Sequence, residues 1–114
     1  MLGQTVTVTV DRPLGSVHPE HKGLRYPVNY GYVQGVVAQD GEEQDAYILG
    51  VGEPVNEFSG KVIAVIHRKD DVEDKLVVVP DGVDMTKDEI RKAVWFTEQY
   101  FDIEIVSSIG GVIK

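Results

Sequence analysis

The sequence predicts a mainly β domain with one C-terminal helix, its strands closing into a small five-stranded barrel. Three observations carry that expectation. Short runs of β-branched and apolar residues recur along the chain, each cut off by Pro, Gly or an Asp-Gly pair. A single Thr-x-x-Glu pattern, Thr86 to Glu89, marks one helix start. The length, 114 residues, suits one domain spanning 1–114 with a single core. Short antiparallel strands of this kind close most readily into a barrel, which leaves no open edge.

Taken in order, Thr5-Val6-Thr7-Val8-Thr9-Val10 alternates with period two and reads as a strand with a buried Val face. Pro13 and Gly15-Ser16 end it, and His18-Pro19-Glu20-His21-Lys22-Gly23 is a polar loop. Tyr26 to Ala38 reads as extended chain, with Gly31 and Gly35 permitting bends or close approach. Asp40-Gly41 signals a hairpin, and Ala46-Tyr47-Ile48-Leu49 is the returning strand. Lys61 to Arg68 has the uninterrupted apolar character of a well-buried strand, and Lys75 to Pro80 follows an acidic turn at Asp70 to Asp74. After Thr86, residues Ile90, Ala93, Val94, Thr97 and Phe101 share one helical face. A last strand-like run, Ile103 to Val106, precedes Gly110-Gly111.

Composition narrows the function. The chain is 42% hydrophobic and 26% charged, which is globular. No apolar run approaches the roughly 20 residues of a membrane span, so no membrane association is expected. The start, Met1-Leu2-Gly3-Gln4, has no basic region leading into an apolar stretch, and the expected location is cytoplasmic. The absence of cysteine removes disulfides, thiol nucleophiles and Cys-ligated zinc. A net charge of −8 argues against nucleic acid as a partner, because phosphate contacts dominate that binding. For an enzyme acting on a polyanion the acidic balance makes sense if divalent cations bind the carboxylates and invert the local field. Otherwise it serves solubility.

Two acidic clusters are the candidates for such a site. Asp40, Glu42 and Asp45 sit at the predicted hairpin tip, where Asp40 and Asp45 would face each other and share a cation. Asp70, Asp71, Glu73 and Asp74 form the second. If the barrel brings both turns to one end, several oxygen ligands meet, a donor set for Mg²⁺ or Mn²⁺ rather than zinc. Against this stands the ordinary preference of Asp for turns, where it bonds its own backbone. His18 and His21 invite a metal-pair reading, but Pro19 opposes the helix that would align them.

The run Tyr26-Pro27-Val28-Asn29-Tyr30-Gly31-Tyr32, followed by Asp40-Gly41-Glu42-Glu43-Gln44-Asp45, resembles the soluble, magnesium-dependent inorganic pyrophosphatases. That family carries Tyr-Pro-x-Asn-Tyr-Gly-Tyr and then Asp-Gly-Asp-Pro-apolar-Asp. The resemblance extends from about Asp11 to Tyr100 and implies a closed, OB-like barrel. It implies hydrolysis of pyrophosphate, or a related phosphoanhydride, by a metal-activated water. Asp40, Asp45 and an acid at Glu73 or Asp74 would be ligands of Mg²⁺, with Mn²⁺ an alternative, and Asp70 would help bind the activating metals. Glu42 would accept the water's proton, its extra methylene displacing the carboxylate by about one bond length. Tyr30, Lys75 and Tyr100 would contact phosphate oxygens. A homo-oligomer fits the family, although the regions that assemble it there are missing here.

The chain departs from the family's pattern at several cationic positions. Uncharged Thr7 and Thr9 stand where the first strand carries Lys and Glu, His18 falls near an Arg, and Phe101 follows Tyr100 in place of Lys. The second acidic turn is shorter. Arg12, His18, His21, Lys22 and Arg25 lie in the loop before Tyr26 as replacements, and Arg25 is the candidate substrate-binding residue among them. The competing expectation is a non-catalytic pyrophosphatase-like module that binds a metal or an anion. A third class, a barrel for single-stranded nucleic acid, lacks aromatic residues interleaved with basic ones.

Overall fold

The computed structural model describes residues 2–70 and 73–107; Asp71 and the Gly110-Gly111 pair lie outside them. Seven elements follow in chain order: β1 (Thr5–Arg12), β2 (Asn29–Val37), β3 (Glu43–Ile48), β4 (Glu57–Arg68), β5 (Asp74–Val79), α1 (Lys87–Glu98) and β6 (Ile103–Ser107). Strands pair in the order β1-β2-β3-β5-β4-β6, and an additional β1–β4 pairing closes the first five into a barrel. The long β4 makes this closure. Its first half, Glu57 to Lys61, pairs with β1, and its second half, Ala64 to Arg68, pairs with β6. The strand-like run Ile103 to Val106 thus becomes a sixth strand beside the barrel.

One pairing departs from the antiparallel expectation. β5 lies between β3 and β4, antiparallel to β4 and parallel to β3, with Ala46 opposite Leu76 and Ile48 opposite Val78. The consequence is functional. Two parallel neighbours begin at the same end of the barrel, so the turns that precede them, which hold residues 38–42 and Lys69-Asp70, lie at one end too.

Alternation then builds two cores. Val8, Val33, Ala46, Ile48, Val62, Leu76 and Val78 fill the barrel interior. Tyr47, Leu49, Ala64, Ile66, Val77 and Val79 point outward, where Ile90 and Val94 of α1 and Ile103 and Ile105 of β6 cover them. Both faces are buried over Ala46–Ile48, Val62–Ala64 and Leu76–Val79, which is why those stretches lack a polar alternate. A register shift between Val62 and Ala64 accommodates one extra residue, Ile63, on the outer face. The helix opens on the expected capping box: Thr86 Oγ1 accepts from the Glu89 N–H at 3.1 Å, and Glu89 Oε1 accepts from the Thr86 N–H at 2.8 Å. No helix among the described residues is long and apolar enough to cross a membrane.

Two residues of the aromatic motif serve the scaffold. Asn29 is fully buried; its Oδ1 accepts from the Leu14 and Val55 N–H groups at 2.9 and 3.2 Å, and its Nδ2 donates to the Glu53 carbonyl at 3.0 Å. One side chain therefore ties the loops after β1 and before β4 to the start of β2. At Gly31 a Cβ would coincide with the Thr9 carbonyl oxygen, so only glycine lets β1 and β2 approach this closely.

Candidate functional site

The parallel pairing of β3 and β5 sets Asp45 beside Lys75. Lys75, buried, donates from Nζ to Asp45 Oδ2 at 2.6 Å, Glu73 Oε1 at 2.9 Å and the Tyr30 hydroxyl at 2.8 Å. All three donor positions of the ammonium are occupied, so its burial is compensated. Gln44, which stands where the family has an apolar residue, fixes the same junction by donating to the Asp74 carbonyl at 2.7 Å. Burial above all, and then the Asp45 charge that its hydroxyl meets, hold the Tyr30 phenol well above its ordinary pKa. Tyr30 is therefore a neutral hydrogen-bonding group throughout the physiological range.

Of these residues, Lys75 and Tyr30 line a cavity of about 1080 Å³ between the barrel, the loop at 18–24 and the C-terminal end of α1. Its nitrogen-bearing side chains are Arg12, His18, His21, Arg68 and Lys75. Tyr26, Tyr30 and Tyr100 supply aromatic surface, with His18 stacked on Tyr26 at a centroid separation of 5.9 Å. The loop is shaped by its own backbone: Val17 bridges Arg25, and the His18 N–H donates to the Leu24 carbonyl at 2.8 Å. A cationic, aromatic hollow beside a carboxylate pair suits an oxyanion that arrives with a cation.

Behind that wall lies a buried ionic network that the sequence reading missed. Glu98 of α1 is fully buried and accepts from Arg68 twice, Nε to Oε1 at 3.0 Å and Nη2 to Oε2 at 2.7 Å, and from the Tyr47 hydroxyl at 2.6 Å. Burial disfavours the charge on Arg68, but the Glu98 hydrogen bonds and charge outweigh it and raise the pKa. Burial, reinforced by Glu98, also raises the Tyr47 phenol. A signal was present: Glu98 follows Val94 by four positions and Ile90 by eight, placing a charge on the apolar stripe.

The expected acidic residues are partly gathered. Both turns do lie at one barrel end, and Asp45 and Glu73 share the Lys75 ammonium. Asp40 does not face Asp45: the register pairs Asp45 with Tyr32 and Glu43 with Val37, so Asp40 sits in the turn, where its Oδ1 accepts from the Glu42 N–H at 3.0 Å. The hairpin is longer than two residues, which moves the pairing partners away from the tip. Asp40, Glu42 and Asp70 are exposed, outside the cavity's lining. Asp74 is held by His67, with Nδ1 2.6 Å from Oδ1. Arg25, expected at the substrate, instead donates to the Gly15 carbonyl at 3.0 Å, because the Val17 bridge turns it away; Arg12 lines the cavity in its place. Tyr100 lines the rim and is 72% exposed. Among the described residues, no three His, Asp or Glu side chains are gathered as a ready ion cage. Asp45 and Glu73 nevertheless present carboxylate oxygens side by side at one ammonium, the donor type that a hard cation takes.

The model of the inorganic pyrophosphatase family matches residues 4–103. No curated protein matches the chain by sequence. Among solved structures, an inorganic pyrophosphatase from Ehrlichia chaffeensis superposes with a TM-score of 0.72 at 17% identity, covering 96% of this chain and 90% of its own. One from Coxiella burnetii gives 0.64 at 18% identity, with 94% and 86% covered. One from Neisseria gonorrhoeae gives 0.62 at 20% identity, with 86% and 74% covered. At these identities the structures speak to the fold.

Proposed function

This chain belongs to the inorganic pyrophosphatase family, and from that premise we propose that it hydrolyses inorganic pyrophosphate, or a related phosphoanhydride, with Mg²⁺ or Mn²⁺. The observation that carries the reading is the convergence of Asp45, Glu73 and Tyr30 on Lys75, which with Tyr30 lines the cavity. Asp45 and Glu73 would hold the metal, with Asp40 and Asp70 adding oxygen donors from the two turns at the same barrel end. When bound, the ions would neutralise the phosphate oxygens and acidify the attacking water. Glu42, exposed in the turn at that end, would accept the proton of that water at its carboxylate. Lys75, released from the carboxylates it now neutralises, binds a phosphate oxygen through Nζ, and Tyr30 and Tyr100 donate hydroxyl hydrogen bonds to the same group. Arg12 supplies charge from the loop side, which favours this reading over a module that only binds.

The test is phosphate release from pyrophosphate with Mg²⁺ and then Mn²⁺, beside nucleotides and polyphosphate. Release that requires the metal supports the proposal. No release from any of these substrates, by a folded protein that still binds metal, would leave the non-catalytic module.

A further inference from the structure

The Arg68–Glu98 pair is placed oddly for a purely structural ion pair. Its carboxylate is fully enclosed, yet its guanidinium reaches the cavity wall, with the side chain 10% exposed. A guanidinium carries five N–H groups in a planar fork. Glu98 engages the Nε and Nη2 groups, which leaves the end-on edge formed by Nη1 and the outer Nη2 hydrogen. Among the described residues nothing that holds Arg68 uses that edge fully; there Nη1 reaches only to Glu73 Oε2, at 3.6 Å. The plane is fixed from below by Phe101, whose ring centre lies 3.6 Å from the guanidinium carbon. Tyr47, bonded to Glu98 and to Thr97 at 2.7 Å, fixes the carboxylate in turn.

Glu73 shows where an anion would sit. One of its oxygens meets Lys75 and the other leans on Arg68, so the two cations stand within the span of a single carboxylate. A phosphoryl group offers oxygens at a similar spacing and more charge.

We propose that Arg68 is a substrate-binding residue, its free end-on edge pairing with a phosphoryl group of pyrophosphate beside Lys75, and that Glu98 and Tyr47 are the positioning residues that aim it. The inference rests on the pyrophosphate reading and adds a cation that this chain takes from β4, directly above the apolar Phe101. Arrangement by Glu98 keeps the fork pre-formed, so little side-chain freedom is lost on binding.

Removing Arg68 alone would strand the buried Glu98 carboxylate, so the comparison starts from Glu98→Gln, which keeps Arg68. Calorimetric titration with imidodiphosphate, a pyrophosphate with a bridging NH, in the presence of Mg²⁺ reads binding without turnover. Glu98→Gln with Arg68→Gln should bind at least about tenfold more weakly than Glu98→Gln alone, a loss expected for one charge-assisted contact. Adding Phe101→Lys, which brings an ammonium to the same wall, should recover most of it. Equal affinities of the single and double variants, both folded by circular dichroism, overturn the proposal. So does failure of Phe101→Lys to recover binding, since the loss would then be one of packing, and so does a wild-type protein that binds no imidodiphosphate. Should the double variant not fold, Arg68→Lys, which keeps a charge opposite Glu98, must show the same weakening. Phosphate release with Arg68-independent binding leaves the hydrolytic reading standing and removes this one; Arg68-dependent binding without phosphate release does the reverse.

Discussion

At the residue scale, the aromatic motif divides between scaffold and site, and the division sets two opposite mutational outcomes. Asn29 satisfies two N–H groups and one carbonyl from three separate loop residues. Asn29→Ala strands those three groups and should destabilise the fold by at least about 3 kcal/mol, at roughly 1–3 kcal/mol for each buried group left unpaired. A urea titration measures it, and a change below about 1 kcal/mol would mean that water replaces the amide. Asp45 is different. It is half-buried at the cavity edge, and Asn at this position keeps the shape and accepts from Lys75, so stability should change little. Metal-dependent phosphate release, in contrast, should fall to background, since the neutral amide holds a divalent cation far less well. Unchanged turnover in Asp45→Asn would remove this residue from the mechanism. Asp45, Tyr30 and Lys75 were singled out through the resemblance to the family's motifs, and they meet at one ammonium. Asp74 was not distinguishable from Glu73, because its engagement with His67 is a cross-strand fact that depends on the register of β4 against β5.

At the scale of elements, each strand was readable in part as a run of apolar or β-branched residues, and α1 from its capping box. The first half of β4, Glu57 to Gly60, carries no such run and was not readable. What the runs do not encode is the order in which strands meet. The parallel β3–β5 contact arises because β5 inserts between β3 and β4, and that insertion places the two acidic turns together. Arg25 was misread for a related reason: the Val17–Arg25 bridge turns the loop into a small hairpin that no local pattern announces. The helix joins to the barrel through two kinds of contact of unequal weight. Loss of the exposed cap in Thr86→Ala should cost about 1 kcal/mol, seen as a fall in Tm of roughly 4 °C. Glu98→Ala leaves Arg68 buried without its partner and should cost about 3–5 kcal/mol. Thermal melts of the two variants side by side test the ranking. Equal shifts would mean that α1 is held by its apolar stripe, Ile90 and Val94, with no net contribution from the ion pair.

At the scale of the whole molecule, groups of both signs meet at one cavity. Arg12, Arg68 and Lys75 line it together with Glu20, and Lys75 and Arg68 are held there by Asp45, Glu73 and Glu98. The same region gathers buried phenols. Tyr26, Tyr30 and Tyr47 all have pKa values raised from the ordinary 10.0, chiefly by burial. In the unfolded chain these phenols ionise near 10, whereas in the folded protein they stay protonated to higher pH. Above about pH 10 the unfolded state therefore binds fewer protons than the native state, and stability must fall as pH rises. Below that range the contribution is fully present. Each strongly buried phenol accounts for about 1.4 kcal/mol per pH unit once past its unfolded pKa, so Tyr30 and Tyr47 together give nearly 3 kcal/mol per unit. Against a typical total of about 5–15 kcal/mol, this unfolds the domain within a few pH units. Urea unfolding at about pH 8, 9.5 and 11, with tyrosinate absorbance followed in parallel, should show stability flat between the first two and steeply lower at the third. Tyr47→Phe should make the alkaline decline shallower by one proton even though it begins from a lower stability. A decline of the same steepness in that variant would mean that the Tyr47 hydroxyl, and with it the network that aims Arg68, is open to water.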